Sequence, residues 1–218
     1  MKKLQIDIVS DVMCPWCIIG YKGLEIALEQ LSIDVEADIN WLPFELNPHM
    51  PAEGQDLREH LMEKYGITEQ QSDQNRDMLR QRGLDIGFRF NFNDPLRMIN
   101  SFDCHRLLAW AKEQHKQHEL QMALFTAHFE HNKPLNDRQT LLAIVASCDL
   151  DVQHATHILN SNDYTSQVRA EQNQNMQMGI QSVPTFIINQ KYALSGGQPV
   201  EAFKQAFLQI TDKQQEVV

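Results

Sequence analysis

The chain is 218 residues long, 42% hydrophobic and 22% charged, with a formal net charge of -10. That length buries a substantial core as one large domain or two small ones, and the acidic balance, with no dense Lys/Arg run, argues against nucleic acid as a partner. No apolar run approaches the roughly 18 residues of a membrane span, so no membrane partner is expected.

At the amino end MKKLQIDIVSD carries two lysines, then Asp7 and Asp11, which interrupt any secretory signal core. The expected compartment is therefore the cytoplasm, where lasting disulfides are rare and a Cys-x-x-Cys pair is usually catalytic. Residues 4–11 are rich in Ile and Val, alternate apolar with polar, and end in turn-formers, which predicts a strand. Residues 18–31 place Ile18, Tyr21, Leu24, Leu28 and Leu31 at three- and four-residue steps, the apolar stripe of a helix laid on a sheet. Between them stands MCPWC, so Cys14 and Cys17 fall where a strand hands over to a helix.

Pro15 fits the first helical position, where a missing N–H costs nothing, and this makes Cys14 the N-cap. An N-cap side chain accepts from N–H groups two and three residues on, here Trp16 and Cys17, and the helix dipole adds positive potential there. The thiolate gains most from that position and is also the nucleophile of disulfide exchange. Favouring the thiolate favours the reduced state and makes the pair a better oxidant. Cys17, one turn on, is within the Cα separation of roughly 4.4 to 6.8 Å that a disulfide needs. The expected roles are Cys14 as attacking thiolate and Cys17 as buried resolving thiol. A Cys-x-x-Cys is also half of a zinc site, but the second half is missing, because Cys104 and Cys148 stand alone.

Residues 33–44 alternate again through Val35, Ala37, Ile39 and Trp41, a second strand that completes a βαβ unit. Past Pro48 the texture turns helical, with helices expected over 56–65, 73–82, 101–116, 119–131, 137–148, 152–159 and 163–178. Strand texture returns with VPTFIINQ and KYALS, and after Gly196-Gly197 a last helix opens at Pro199 with Val200, Phe203, Ala206, Phe207 and Ile210 inward. The order βαβ, helical block, ββα is an α/β thioredoxin fold with a large all-helical insertion. Its expected domains are a thioredoxin-like unit from 1–48 and 180–218 and an inserted helical domain at 49–179.

Five stretches in this order resemble the DsbA-like thiol-disulfide oxidoreductases, most closely their FrnE-like cytoplasmic branch: SDVMCPWCIIG, WLPFELNP, NSFDCHRL, GIQSVPTFIIN and SGGQP. The resemblance implies a redox pair Cys14/Cys17 with Pro15 and Trp16 as the active-site dipeptide, and a cis-proline loop at Val183-Pro184 whose Val183 backbone pairs with substrate as an added strand. It implies disulfide or thiol substrates, peptide or small, no bound cofactor, and glutathione or a thioredoxin-type protein as redox partner, in a monomer or homodimer. One departure concerns the resolving cysteine. Periplasmic DsbA-like members carry an acid six residues before the first cysteine, and that position is Ile8 here. The nearest acids are Asp7, a buried proton acceptor or a solvated strand residue, and Asp11, a polarising group or a turn residue satisfying loop backbone.

Cys104 stands where a small residue is usual and lies on a stripe with Leu108 and Ala111, which reads as a small buried hydrophobe. Cys148 reads the same way. The pairs His115/His118, His128/His131 and His154/His157 each share a helix face and read as exposed polar surface, with no metal ligand set among them. Met176 and Met178 read as packing residues. The alternative reading is a glutathione-dependent isomerase or transferase of the 2-hydroxychromene-2-carboxylate isomerase and kappa-class group, which typically carries Ser in place of the first cysteine. A third is a metal- or partner-binding protein using the histidine pairs.

Overall fold

The computed structural model describes residues 2–31, 35–93 and 95–213. Strand β1 (Lys2–Ser10) leads into α1 (Pro15–Glu29) and then β2 (Val35–Pro43). Ile33 and Asp34, the first two residues expected in the second strand, lie outside the described residues. β1 pairs parallel with β2, Ile6 opposite Ile39 and Ile8 opposite Trp41. After the helical stretch, β5 (Thr185–Ile188) returns antiparallel to β1, and β6 (Tyr192–Ser195) pairs antiparallel with β5. The sheet order is β2-β1-β5-β6, closed by α9 (Val200–Lys213) packed on α1. β1 sits in the centre of the sheet, which is why Leu4, Ile6 and Ile8 are wholly buried.

The stretch between β2 and β5 forms α2 (Leu57–Tyr65), α3 (Glu69–Asp85), α4 (Phe102–Glu113), α5 (Gln117–Phe125), α6 (Arg138–Ser147), α7 (Val152–Asn160) and α8 (Thr165–Gln177). Two features differ from the sequence expectation. α3 starts at Glu69 instead of 73, because Thr68 and Gln71 form a reciprocal capping box. The run expected as one helix over 119–131 is α5 followed by a π turn at Thr126–Glu130, where His131 N–H bonds to the Thr126 carbonyl at 3.2 Å. A short ribbon of β3 (Gln55–Asp56) and β4 (Arg97–Met98) also ties the start of α2 to the chain before α4.

Two apolar clusters result. One joins the sheet, α1 and α9 to Leu79, Phe88, Phe90, Phe92, Phe125 and Phe129, so the aromatic part of the helical stretch packs onto the sheet side. The other is built mainly from α4, α5, α6 and α7 around Cys104, Leu107, Leu120 and Val145, with Val12 and Met13 reaching in from the loop after β1. That loop lies where the two clusters meet, immediately before Cys14.

Candidate active site

The loop 11–14 is organised by Asp11. Its carboxylate accepts the Met13 N–H at 3.1 Å and the Leu46 N–H at 2.7 Å, and its carbonyl accepts the Cys14 N–H at 3.0 Å. Asp11 thereby pins the start of α1 to the loop after β2, and it is 1% exposed. His105 on α4 stands 3.8 Å from the same carboxylate and bonds through Nε2 to the Phe44 carbonyl at 2.8 Å. Asp7 lies elsewhere. Its two oxygens accept from Asn40 Nδ2 at 2.9 Å and Gln5 Nε2 at 3.3 Å, at the edge facing β2.

Cys14 occupies the N-cap of α1 with extended backbone (φ -96°, ψ 110°), and Pro15 opens the helix. The expected side-chain cap is not made. The Cys14 thiol does not accept the Trp16 and Cys17 N–H groups; it donates to the Val183 carbonyl at 3.8 Å, because a neutral thiol is a poor acceptor and the cis-proline loop offers a carbonyl. The amide end of α1 remains beneath the sulfur. Cys17 is wholly buried under it. Burial, then the hydrogen bond and charge of Cys14, push the Cys17 thiol well above its ordinary value, and the Ser10 hydroxyl beside it acts the other way.

The Val183-Pro184 bond is cis, and the loop stands against Cys14. Gly20 on α1 makes that approach feasible, since a Cβ there would lie 2.9 Å from the Phe186 ring and 3.2 Å from Pro184 Cγ. Trp16 is half-buried, with Arg82 of α3 over its ring at 5.8 Å and Gly197 against its edge. In front of Cys14 opens a cleft of about 720 Å³. Its floor is Cys14, Trp16 and Val183; its far wall is Leu57, Leu61, Tyr65 and Met78 of α2 and α3. A cleft this size suits a small ligand or a few residues of a peptide. Tyr65 is close enough for the charge of Cys14 to add to burial in raising its phenol. Lys64 lies at the rim, bonded to the neutral Leu46 carbonyl and Asn47 Oδ1 at 3.0 and 2.8 Å.

The other sequence-marked residues fall away from this centre, and some differ from expectation. Cys104 and Cys148 are buried, and burial raises both thiols. The histidine pairs are not uniformly exposed surface. His118 is clasped between Tyr21 and Trp41, accepting from Trp41 Nε1 at 3.1 Å, because β2 and α1 both pack on α5 there. His128, on the π turn, is buried against Phe129 and lines the cleft, and burial pulls its imidazole down to about 4. Met176 and Met178, at the end of α8, are 58% and 53% exposed instead of packed, since the buried Asn175 is the residue of that turn that faces β2, bonding to the Pro43 carbonyl. Among the described residues no cluster of three His, Cys, Asp or Glu side chains has metal-holding geometry, and no helix is long and apolar enough to cross a membrane. Sequence reasoning missed Ser10 and His105. Both stood inside quoted motifs, Ser10 in SDVMCPWCIIG and His105 in NSFDCHRL, without being singled out.

A family model described as a DSBA-like thioredoxin domain matches residues 5–208. The chain is 30% identical to a probable DsbA oxidoreductase from Streptomyces coelicolor whose crystal structure covers 94% of this chain and 89% of its own, with a TM-score of 0.89. It superposes on a 2-hydroxychromene-2-carboxylate isomerase with a TM-score of 0.71 at 13% identity, covering 98% of this chain and 99% of that one. It also superposes on the cytosolic disulfide reductase DsbM from Pseudomonas aeruginosa with GSH, with a TM-score of 0.65 at 16% identity over 96% and 99% of the two chains. At those identities the last two show the fold alone.

Proposed function

The chain belongs to the DSBA-like thioredoxin domain family, and on that footing we propose that it is a thiol-disulfide oxidoreductase working through the Cys14-Pro15-Trp16-Cys17 pair. The observation that carries the reading is the stacking of three groups: a Cys14 thiol at the cleft wall, the Val183 carbonyl within its reach, and a buried Cys17 directly beneath.

In the reductive direction the Cys14 thiolate attacks one sulfur of a substrate disulfide, the substrate S–S bond breaks, and the departing sulfur leaves as a thiolate. The amide end of α1 stabilises the charge on Cys14 before attack. The Val183 backbone, released by the ionised thiol, pairs with the substrate backbone. Cys17 then loses its proton and attacks Cys14, the mixed disulfide breaks, and the second substrate sulfur departs as a thiolate that takes a proton from solvent. The protein pair is oxidised by two electrons and the substrate is reduced by two; the oxidative direction is the reverse.

The substrates in this reading are peptide disulfides and low-molecular-weight thiols. Glutathione or a thioredoxin-type protein restores the pair, without a bound cofactor, in the cytoplasm. Lys64 at the rim of the Cys14 cleft and Arg82 over the Trp16 ring support an acidic small thiol, being two cations in a chain of net charge -10. The apolar wall of the cleft favours one second reading, a glutathione-dependent isomerisation of a small apolar substrate. Cys14 itself counts against it, because that group typically carries Ser at this position.

The test is insulin reduction with wild type, Cys14→Ser and Cys17→Ser. The oxidoreductase reading expects loss of turnover in both variants and a trapped mixed disulfide on Cys14 in Cys17→Ser. Full turnover in either variant contradicts it.

A further inference from the structure

Resting on that reading, a question remains about the proton of Cys17. A wholly buried thiol whose ionisation is opposed by burial must still ionise to resolve the mixed disulfide. The acid that would help it is absent, because Ile8 fills that position and is itself wholly buried. Asp7 is occupied by Asn40 and Gln5, and both oxygens of Asp11 are taken by backbone N–H groups.

Side chains in a strand alternate between faces, so Ser10 is the next residue after Ile8 on the same face of β1. Its hydroxyl is 2% exposed at the residue level, lies beside the Cys17 sulfur, and has no oxygen or nitrogen partner among the described residues. With oxygen and nitrogen partners absent, the Cys17 sulfur is the group this hydroxyl faces. A second observation lies on its other side. Ser10 lines a cavity of about 10 Å³, close to the minimum for one water, together with His105, Gln121, Lys112 and Glu171. Gln121 is 1% exposed, and its Nε2 likewise has no partner among the described residues. Lys112 is exposed and Glu171 half-buried, so the cavity runs from Ser10 toward solvent.

We propose that the Ser10 hydroxyl handles the proton of Cys17, taking the place of the missing acid and connecting the buried sulfur through this cavity to solvent. As Cys17 attacks Cys14, its S–H proton passes to Ser10 Oγ while the Ser10 O–H proton passes along the cavity to solvent water. Until the new sulfur–sulfur bond has formed, the Ser10 hydroxyl donates to the negative charge developing on Cys17. The Cys14–substrate S–S bond breaks, the Cys14–Cys17 bond forms, and the substrate thiolate collects a proton from solvent, so charge and electrons balance. In the reverse direction Cys17 leaves as a thiolate and Ser10 returns the proton. The ionisable groups facing this step are Cys14 on the start of α1, Asp11 in the following loop, His105 of α4 behind Asp11, and Lys112 and Glu171 at the mouth of the cavity.

Ellman's reagent, an aryl disulfide, separates the two steps in the reduced protein. Attack by Cys14 releases a first coloured thiolate, and resolution by Cys17 releases a second. Ser10→Ala is expected to leave the first phase unchanged and slow the second about tenfold or more, the worth of a hydrogen bond to a charged group. The pH midpoint of the second phase moves upward by about one unit. Ser10→Thr, which keeps the hydroxyl, restores both. An unchanged second phase in Ser10→Ala overturns the proposal, and so does a Ser10→Thr protein of native thermal stability that is as slow as Ser10→Ala. Absence of the first phase in wild type sinks the oxidoreductase reading itself, a different failure.

Discussion

The two walls of the Cys14 cleft are built differently. The inner wall is α1, β1 and the cis-proline loop: α1 buries Cys17, Ile18, Ile19, Gly20, Tyr21, Gly23, Leu24 and Ala27, and β5 packs Phe186 against it with no solvent access. The outer wall is α2 and α3. α2 buries only His60, and α3 buries Ser72, Arg76, Leu79 and Gly83, leaving Tyr65 60% and Met78 39% exposed. One wall is core on its far side; the other is two polar helices resting on a few contacts. Cys14 and Cys17 sit on the first, so their geometry is set by close packing. The second faces them with apolar side chains that carry little folding energy, so it can change with the substrate at low cost in stability.

The comparison is broken most severely by Cys14→Ser, expected to reduce thiol exchange with dithiothreitol to background while the circular dichroism spectrum and melting temperature stay native. Phe186→Ala, behind the inner wall, is expected to cost about 3 to 5 kcal/mol in chemical denaturation, the range for a deeply buried aromatic. Met78→Ala on the outer wall should fall within about 0.5 kcal/mol of wild type. Comparable losses in the two would mean that the walls are equally structural.

A third outcome concerns pH. His128 lines the cleft, and burial pulls its imidazole down to about 4 against about 6.5 in the unfolded chain. Between those values the unfolded state binds the proton and the folded state does not, so stability rises with pH through this window and falls as pH drops from 6.5 toward 4. The loss is up to about 3 kcal/mol, and His128→Leu should flatten the stability curve in that window. A smaller effect separates binding from chemistry. Leu61→Ala and Tyr65→Ala are expected to raise KM roughly three- to tenfold for an apolar disulfide with kcat little changed, the signature of lost ground-state contact.

Much of the inner wall was legible in the sequence because its signals are local. Alternation of Leu4, Ile6 and Ile8, the apolar stripe of α1 and the helix-starting Pro15 place the cysteines without reference to the rest of the chain. The long-range parts were not legible. Nothing in the spacing shows that Asp11 reaches Leu46, that His105 reaches Phe44, or that Ser10 ends β1 beside Cys17, since each contact joins segments by tertiary packing. Asp7 and Asp11 illustrate the point: two acids four residues apart, one bonded at the β2 edge and the other holding the loop before Cys14. The histidines mislead for the same reason, as helical spacing shows which residues share a face but not what covers it. His118 is covered by Trp41, 77 residues away in the chain, and His128 is buried where the π turn faces the cleft. The onset of α3 was a local signal left unread, Thr68 followed three residues later by Gln71.

The central claim is that Cys14 and Cys17 act as one two-electron couple while the other two thiols are packing. The direct test equilibrates the protein in glutathione buffers of graded ratio, quenches with acid, alkylates free thiols and maps them by mass spectrometry. The account predicts that Cys14 and Cys17 lose alkylation together along a single two-electron curve, with Cys104 and Cys148 reduced throughout. Cys14 and Cys17 remaining alkylated at every ratio, or pairing with Cys104 instead of each other, would contradict it.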